Sequence, residues 1–494
     1  MKKILYYNWC PFDDDENRGG GVTVYTRNLI KKIINDGKYE CYFLYSGIDY
    51  DLSKNIKIEE YVNCFGNKCH SYRLINSPVV APAFCNFYNI NTVIQDRKIL
   101  EVINKFISEK GPFDIIHFNN FEGLSLSVFD LKKYYPKTKI IFSMHNYYPL
   151  CPQVNLWKNE NENCKDNHNC LDCVSCVPIK INTKDVKYLG EIAYYLRKIH
   201  ISSKSKIWEK TFKAIWILGK IKYNLLPIKA NKNKIKDSNY KWNDLKEIKK
   251  TEKIKQNLYN CFMQEFRTKL NLDVDRILAV SDRVKTIIIN RGIKEEKVFV
   301  NYIGTKFGDS QLEHGKNLYK DGIFKIIYMG YARKDKGFYF LLDALDKVKP
   351  NLSSKIDLYF AVRTEDLYVL NRLKELGNKF HGIFFKNGYH HDELDFILKD
   401  IHLGVIPVLW EDNLPQVAIE MKSKGIPVLA SNLGGASELS KSKFFQFKGG
   451  DINDFNKKLE IIIENDVMKD YWEKGLKLKD MDTHVRELYK IYEN

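Results

Sequence analysis

The feature that most constrains the fold of this chain is a regular alternation of apolar, β-branched runs with amphipathic helical patterns. In the first half, the apolar runs are at residues 3–8, 40–45, 114–118, 139–145 and 275–280. The second half repeats the alternation with runs at residues 324–329, 356–362, 383–385, 403–409, 427–430 and 444–447. Strands that alternate with helices form parallel sheets joined by crossover connections. The sequence therefore predicts an α/β fold.

The length of the chain predicts more than one domain. It has 494 residues, which is more than one hydrophobic core usually supports. A polar segment at 309–320 is the predicted linker, between an N-terminal domain over residues 1–308 and a C-terminal domain over residues 316–470. Residues 471–494 are predicted to form a helix that packs back on the first domain. The first domain also carries a cysteine-rich loop at 151–176 and a basic, aromatic insertion at 178–250.

The charge of the chain leaves two interpretations open. A formal net charge of +17 favours an acidic partner such as nucleic acid, an anionic membrane or a phosphorylated substrate, but it also fits a solvated basic surface. In residues 186–217, lysines alternate with bulky apolar side chains. This pattern is typical of an interfacial helix on an anionic bilayer, and equally of a helical insertion packed on its domain.

The N-terminus has too short an apolar run for a secretory signal, and no window has the roughly 20 apolar residues of a membrane span. We therefore expect a cytoplasmic protein, with peripheral attachment to the inner face of the cell membrane as a further expectation.

The most informative segment for function is residues 402–438. A buried strand leads into Trp410-Glu411-Asp412, and Asn413-Leu414-Pro415 then opens a helix, where proline is favoured. The backbone N–H groups at residues 414–417 are natural donors for a diphosphate. Glu420 lies two turns along, on the same side as residues 413, 416 and 417, where its carboxylate can reach a ribose.

This segment resembles the retaining glycosyltransferases with the GT-B fold, specifically the large family 4 group (glycosyl transferases group 1). Their hallmark is an acid, seven intervening residues and a glutamate, then a G-x-P-V strand and a G-G-x-x-E turn. Here these are Asp412, Glu420, residues 425–428 and residues 434–438. The family usually has glutamate where this chain has Asp412, and Glu411 stands just before it. The resemblance implies two Rossmann-like domains facing across a cleft, with Asp412 near the donor sugar and Glu420 on the ribose hydroxyls.

A second match lies at residues 326–337, which resemble the family's G-R-x-x-x-x-K-G turn. Lys336 matches the lysine that meets the donor diphosphate, whereas Tyr331 occupies the arginine position and Arg333 follows two residues later. A fixed positive charge stabilises a departing diphosphate. Asn387-Gly388-Tyr389 resembles the loop that touches the nucleotide base.

In the first half, Gly19-Gly20-Gly21 resembles the glycine loop of the family. His117 and His145 both follow strands, where α/β folds bind ligands. His145 matches the family's histidine near the donor sugar, and His117 is interpreted as structural. The resemblance implies retention of configuration without a catalytic cofactor. The predicted catalytic residues are His145, Lys336 and Asp412. The predicted donor-binding residues are Gly21, Arg333, Lys336, Gly388, Tyr389, Asn413, Leu414, Pro415, Gln416, Val417 and Glu420.

Five cysteines form a cluster just after His145, at Cys151, Cys164, Cys170, Cys173 and Cys176. In a chain without export signals such a cluster favours metal binding over disulfides. Zinc and an iron–sulfur cluster both suit the spacing. Some bacterial members of the family look similar here. Structural zinc held by four of the five is the preferred interpretation, with His168 as a further candidate ligand and metal-free reduced cysteines as the alternative.

The sequence therefore predicts a glycosyltransferase that moves a sugar from a nucleotide-sugar donor to a saccharide or lipid-linked acceptor, in surface polysaccharide or glycan biosynthesis. The alternatives are another sugar-nucleotide enzyme of the same fold, such as an epimerase or phosphorylase, and a catalytically decayed binding protein. The acidic residues Asp412, Glu420 and Glu438 in the supposed groove argue against a nucleic-acid partner.

Overall fold

A computed structural model describes residues 1–16, 18–86, 89–165, 170–176, 183–225, 242–305, 322–390 and 393–493, without the side chains of 218–225 and 242–252. The predicted linker at 309–320, His168 and parts of the insertion at 178–250 lie outside the described residues.

The strands are β1 (Lys2–Tyr7), β2 (Tyr39–Ser46), β3 (Lys57–Glu60), β4 (His70–Ile75), β5 (Ile115–Phe118), β6 (Lys139–Met144), β7 (Trp157–Lys158), β8 (Glu162–Asn163), β9 (Arg276–Ala279), β10 (Val298–Val300), β11 (Phe324–Tyr331), β12 (Ile356–Arg363), β13 (Gly382–Lys386), β14 (Leu403–Ile406), β15 (Val428–Ser431) and β16 (Gln446–Phe447).

The α-helices are α1 (Gly20–Asp36), α2 (Ile90–Ile94), α3 (Arg97–Lys110), α4 (Leu131–Tyr134), α5 (Leu171–Cys176), α6 (Thr183–Lys198), α7 (Lys206–Leu225), α8 (Trp242–Asp273), α9 (Asp282–Asn290), α10 (Phe338–Leu345), α11 (Pro350–Ser353), α12 (Leu367–Gly377), α13 (Leu394–Ile397), α14 (Gln416–Ser423), α15 (Ile452–Glu464), α16 (Met468–Glu473) and α17 (Met481–Glu493).

The chain divides into two compact units. Unit 1 consists of Met1–Arg27, Tyr39–Thr138 and Asn167–Lys269, and unit 2 consists of Asn28–Lys38, Lys139–Asp166 and Leu270–Asn494. The domain boundaries drawn from the sequence stay predictions.

In unit 1 the strands lie in the order β5-β1-β2-β4-β3. β1 pairs in parallel with β2 and β5, and β2 pairs in parallel with β4. β3 is antiparallel to β4 and lies at the edge. Ile4 and Phe43 are fully buried, as expected for apolar strands covered on both faces.

In unit 2, three parallel strands lie in the order β10-β9-β6, and six parallel strands form a further sheet in the order β13-β12-β11-β14-β15-β16. Counted along its own part of the chain, the second sheet has the order 3-2-1-4-5-6 of dinucleotide-binding folds, which reverses between β11 and β14. Sheets of this kind bind ligands at the carboxyl ends of the strands beside that reversal. The α/β fold with parallel sheets is therefore confirmed, and its topology indicates where a ligand site belongs.

The core of the six-stranded sheet consists of apolar side chains from its strands and from the helices that cover it. Its largest buried members are Phe324, Tyr328, Phe338, Phe360, Phe380, Phe445, Phe447, Phe455 and Tyr471.

Residues 186–217 belong to two helices, α6 and α7, rather than to the single helix expected there. α6 ends because His200 adopts a left-handed conformation, with φ 61°, and the N–H of Ile201 donates to the carbonyl of Leu196 at 3.0 Å. This is the hydrogen bond of a Schellman C-cap. α7 then begins after Ser205, whose side-chain oxygen accepts a hydrogen bond of 3.2 Å from a backbone N–H of the first turn.

Helix α6 packs on other segments of unit 1, the unit to which it belongs. The Arg197 guanidinium lies 2.6 Å from the buried Asp49 carboxylate and 2.7 Å from Glu16. Tyr194 is 1% exposed, and its hydroxyl donates to Glu59 at 3.0 Å. These contacts support the interpretation of α6 as a packed insertion.

The last helix, α17, is anchored to residues distant in sequence within unit 2. The Lys139 ammonium donates to the carbonyl of Tyr492 at 2.9 Å, and the Tyr489 hydroxyl donates to Asp36 at 3.0 Å. Separately, none of the helices that the structure describes has the length and apolarity that crossing a membrane requires.

Candidate functional site

Two loops meet at the point where the six-stranded sheet reverses its order, one after β11 and one after β14. The N–H of Leu409 donates to the carbonyl of Asp335 at 2.9 Å and joins them. Gly337 adopts φ 72°, and a Cβ there would overlap the carbonyl oxygen of Pro407. Glycine at 337 is therefore what allows the two loops to approach closely.

An ion pair joins the two loops through two residues that the resemblance implies for the donor site. The Lys336 ammonium lies 2.5 Å from the Asp412 carboxylate, which is largely buried, and a quarter of the Lys336 side chain is exposed. The same ammonium lies 4.9 Å from the centre of the Trp410 ring, a distance at which a cation is attracted to the ring. The structure thus brings the predicted Lys336 and Asp412 together and holds the lysine at the carboxyl end of the central strands.

Arg333 is held in place by its own neighbour. Its guanidinium makes a two-pronged contact with the buried Asp335, at 2.9 and 2.8 Å, and the Arg333 side chain is 57% exposed. Tyr331, at the position of the family's arginine, is also exposed. Arg333 is therefore an accessible, oriented cation two residues beyond Tyr331 and three before Lys336.

The glycine turn at 434–435 packs directly on the acidic loop. The N–H of Gly435 donates to the carbonyl of Asp412 at 2.8 Å. Gly434 adopts φ 74°, and a Cβ there would overlap the backbone of Asp412. The backbones of the glycine turn and of the acidic loop thus lie so close together that a side chain at either glycine would overlap the loop.

Asn413 connects the acidic loop to the end of β6, next to His145. The Asn413 side chain is buried, and its amide donates to the carbonyl of Met144 at 3.4 Å. Burial lowers the pKa of His145 to about 4, because desolvation disfavours the imidazolium. His145 is therefore neutral at neutral pH, suited to hydrogen bonding with a sugar hydroxyl rather than to pairing with an anion.

Helix α14 begins beside the acidic loop, at Gln416. Pro415 precedes it in an extended conformation, with φ −61° and ψ 126°, and Leu414 is buried. The first N–H groups of an α-helix have no partner within the helix and carry partial positive charge. The N–H groups of Gln416 and Val417 can therefore bind a phosphate. They follow closely in the chain after Asp412, which is the ion-pair partner of Lys336.

The charge of Glu420 perturbs the pKa of Tyr389. Burial raises the pKa of the Glu420 carboxyl to about 7, and a hydrogen bond with the Gln416 side chain opposes this rise. Burial also raises the pKa of the Tyr389 phenol, and the negative charge of Glu420 raises it further. Gly388, with φ 76°, allows the turn that carries Tyr389. The side chains at the predicted ribose-binding and base-binding positions are thus close enough to interact electrostatically.

Sequence reasoning missed Arg283 as a residue of this site, and it placed Glu438 in the supposed groove without identifying its partners. Residues 281–283 were interpreted only as a helix start, which the structure confirms, because the Ser281 hydroxyl accepts from the N–H of Val284 at 3.2 Å. Arg283 pairs with Glu411, and Glu438 accepts from the backbone N–H groups of Asp282 and Arg283. The sequence offered one chemical clue to this contact. A glutamate ends the glycine turn, and the N-terminus of a helix, which carries partial positive charge, favours a carboxylate.

Gly21 and three of the five cysteines belong to unit 1. Gly21 is the second residue of α1, and the cysteines are Cys170, Cys173 and Cys176, at and within α5. Cys170 and Cys173 are buried. Cys151 and Cys164, which are half-buried, belong to unit 2.

The donor chemistry of these thiols suits zinc, but the arrangement of their sulfurs gives it no support. In the described parts of the chain, three potential ligand atoms come within 4.8 Å of one another at Asp14, Asp15 and Glu16, and no three of the sulfurs do so. Asp14 and Glu16 are paired with Arg18. The zinc site stays a prediction.

Comparison with known proteins identifies the same region of the chain. Residues 309–478 match the family model described as glycosyl transferases group 1. No curated protein matches the sequence significantly.

Several solved structures share the fold along the whole chain. Sucrose-phosphate synthase from Thermosynechococcus elongatus has a TM-score of 0.55 at 14% identity, and the match covers 100% of this chain and 98% of that one. HepE from Anabaena, in complex with UDP, has a TM-score of 0.53 at 12% identity, with 99% of both chains covered. The lipopolysaccharide outer core galactosyltransferase WaaB has a TM-score of 0.54 at 12% identity, again with 99% of both covered. At such identities the likeness shows the fold, and the predicted GT-B fold is confirmed.

Proposed function

We propose that this chain, a glycosyltransferase with the GT-B fold, is a retaining enzyme of the family 4 type. It transfers a sugar from a nucleoside-diphosphate sugar to a saccharide or lipid-linked acceptor. The observation that carries this proposal is the Lys336–Asp412 pair, with 2.5 Å between its charged atoms, at the reversal point of the sheet and beside the start of α14. Groups suited to bind a diphosphate, a ribose and a sugar, the parts of such a donor, are present there.

The proposed chemistry follows from the charges that develop when the bond between the sugar C1 and the phosphate oxygen breaks. Positive charge develops on the ring and negative charge on the departing diphosphate. Lys336, Arg333 and the N–H groups that begin α14 are positioned to stabilise that leaving group. The acceptor oxygen bonds to C1 from the same face, and its proton passes to the departing phosphate oxygen. In this scheme His145, Asp412 and Glu420 orient the donor, and no cofactor takes part.

The decisive test is release of nucleoside diphosphate from a panel of UDP-, GDP-, ADP- and dTDP-sugars, with and without an acceptor-containing membrane extract. UDP-sugars are the first choice, because HepE, a protein of the same fold, is known in complex with UDP. We expect one donor to be consumed in a reaction that requires the extract, with the sugar recovered on the acceptor and its anomeric configuration retained. Conversion of the donor to an isomeric nucleotide sugar, without an acceptor and without net release of nucleoside diphosphate, would indicate an epimerase. Binding without turnover in folded protein would indicate a decayed binding protein.

The pH dependence of donor binding should reflect the raised pKa of Glu420, which is about 7. The carboxylate accepts two hydrogen bonds from a ribose, and protonation removes acceptor capacity. At pH 6 only about a tenth of the Glu420 carboxyl is ionised, so the donor KM should be roughly 5- to 10-fold higher than at pH 8. Affinity is thus retained above pH 7 and lost as the pH falls through it.

Steady-state kinetics at pH 6, 7 and 8 measure this effect, with Glu420→Gln as the comparison. The variant should bind the donor more weakly at pH 8 and show a flat profile. The phosphodiester groups of the donor stay ionised over this range and do not contribute. A sloping profile that survives in Glu420→Gln would assign the titration to another group.

We also propose that the acceptor is a surface saccharide or its lipid-linked precursor, met at an anionic membrane. Helix α7 supports this proposal, because Lys206, Lys210 and Lys213 are exposed there together with Ile207 and Trp216, at 59% and 60%. Cations next to exposed apolar side chains suit an anionic lipid surface. Co-sedimentation with vesicles that contain or lack anionic lipid measures this contact.

Structural zinc on four of the cysteines Cys151, Cys164, Cys170, Cys173 and Cys176 remains a further proposal. The burial of Cys170 and Cys173, three residues apart at α5, supports it. Metal analysis of the purified protein, repeated on Cys170→Ser, tests it. Less than about half an equivalent of zinc in the unsubstituted protein would favour reduced cysteines without metal.

A further inference from the structure

The acidic loop after β14 is attached to the start of helix α9, within unit 2. Arg283, on the first turn of α9, makes a two-pronged contact with Glu411, with its Nε 2.7 Å from one carboxylate oxygen and an Nη on the other. Glu411 also accepts from the N–H of Gly434 at 3.1 Å. Both oxygens of Glu411 are therefore committed to holding the loop. Its neighbour Asp412 makes a different contact, with Lys336.

A second carboxylate strengthens the same attachment. Glu438 accepts hydrogen bonds from the N–H groups of Asp282 and Arg283, at 3.0 and 2.5 Å. It also accepts from the Tyr302 hydroxyl at 2.5 Å. A carboxylate at a helix N-terminus is stabilised by the unpaired N–H groups and by the helix dipole. The glutamate that ends the G-G-x-x-E turn is thus bound to α9.

A third contact involves the backbone of the loop itself. The Ser281 hydroxyl donates to the carbonyl of Asn413 at 2.9 Å. Gly435 packs so closely that a Cβ there would overlap the same carbonyl and lie 3.1 Å from the Cβ of Ser281. Residues 411 and 413 are therefore held on both sides of Asp412.

From these contacts we infer that Arg283 is a positioning residue for sugar transfer, which acts through Glu411 to hold Asp412 against Lys336. Glu411 has the holding role, and Asp412 is the acid that faces the donor. The inference rests on the proposed function and deepens it, because it decides which of the two adjacent acids acts on the donor sugar. Nucleotide binding through Tyr389 and Glu420 does not depend on Arg283.

The test compares Arg283→Met, Arg283→Lys and the charge exchange Arg283→Glu/Glu411→Arg with the unsubstituted enzyme. Loss of alignment at a reacting centre lowers kcat by about 10- to 100-fold, and we expect this loss for Arg283→Met. The affinity for UDP, measured by calorimetry, should change by less than about threefold, since the ribose and base positions are untouched. Arg283→Lys and the charge exchange should each recover part of the lost kcat. Lys285→Met, on the same helix and with Glu295 as its ion-pair partner at 3.7 Å, is the matched control and should behave like the unsubstituted enzyme.

Hydrogen exchange of the backbone amides at residues 410–413 supplies a readout that does not depend on turnover. Exchange there should be faster in Arg283→Met and be slowed again in the charge exchange, with melting temperatures within about 5 °C. A kcat within about twofold of the unsubstituted enzyme in Arg283→Met would overturn the inference. So would a loss of kcat that neither Arg283→Lys nor the exchange recovers, or a parallel loss of UDP affinity. If the unsubstituted enzyme consumes no donor, the proposed function fails, and the exchange data still show whether Arg283 holds the loop.

Discussion

Replacing Lys336 by methionine lowers kcat for sugar transfer by about 10²- to 10³-fold, because it removes the fixed cation nearest to the departing diphosphate. The side chain of Lys336 is a quarter exposed, and its partner Asp412 is 9% exposed. The substitution therefore leaves a buried carboxylate without its counter-charge. Some loss of stability should accompany the loss of activity. Rapid-quench measurement of a single turnover, at saturating donor, gives the chemical rate.

Two controls separate the electrostatic effect on catalysis from the effect on folding. Lys334→Met removes an exposed lysine from the same loop and should leave both rate and stability unchanged. The double variant Lys336→Met/Asp412→Asn removes both charges and should regain stability while being at least as slow as Lys336→Met, because Asp412 also orients the donor. If Lys336→Met retained a rate within about fivefold of the unsubstituted enzyme, Lys336 would not be the residue that stabilises the leaving group.

Replacing Gly337 by alanine should destabilise unit 2 by at least about 3 kcal/mol, because it combines backbone strain with a steric overlap. Gly337 has φ 72°, and its added Cβ would overlap the carbonyl oxygen of Pro407. The loop after β11 would have to move away from the loop after β14, and Lys336 would move with it. Urea unfolding, followed by tryptophan fluorescence, measures the loss of stability.

Gly322 provides a matched comparison, because its φ is also 72° but no atom of the described residues lies within 4 Å of an added Cβ. Gly322→Ala should therefore cost only the backbone strain, about 1 kcal/mol. The difference between the two variants isolates the close approach of the loops. Equal free energies of unfolding in the two variants would contradict the geometry described for Gly337 and Pro407.

The strands near the site could be predicted because they are apolar along their whole length. β11 and β14 were expected at 324–329 and 403–409 and are found at Phe324–Tyr331 and Leu403–Ile406. β3 and β4 were not predicted. β3, Lys57–Glu60, is polar and half-exposed at the edge of its sheet. An edge strand of this kind has no continuous apolar run to identify it.

The residues of the site that could be predicted are those whose positions depend on local structure. Glu420 lies one turn into α14, the helix that opens just after the acidic loop, and Lys336 occupies the turn between β11 and α10. A family resemblance carries over such positions because they need only a short stretch of chain to be recognised.

The remaining features depend on contacts between residues far apart in sequence. Arg283 and Glu411 are separated by 128 positions, and Arg283 and Glu438 by 155, so no periodicity relates them. The pKa values of His145 and Glu420, about 4 and about 7, result from burial by surrounding segments rather than from residue type.

The sequence by itself determined the alternating strands and helices, the acid–glutamate motif and the lysine turn, because backbone periodicity and chain geometry act over a few residues. The tertiary structure decided which of two adjacent acids meets Lys336 and which is held by Arg283. The reason is physical: neighbouring side chains on an irregular loop point in different directions, and packing against distant segments determines what each of them meets.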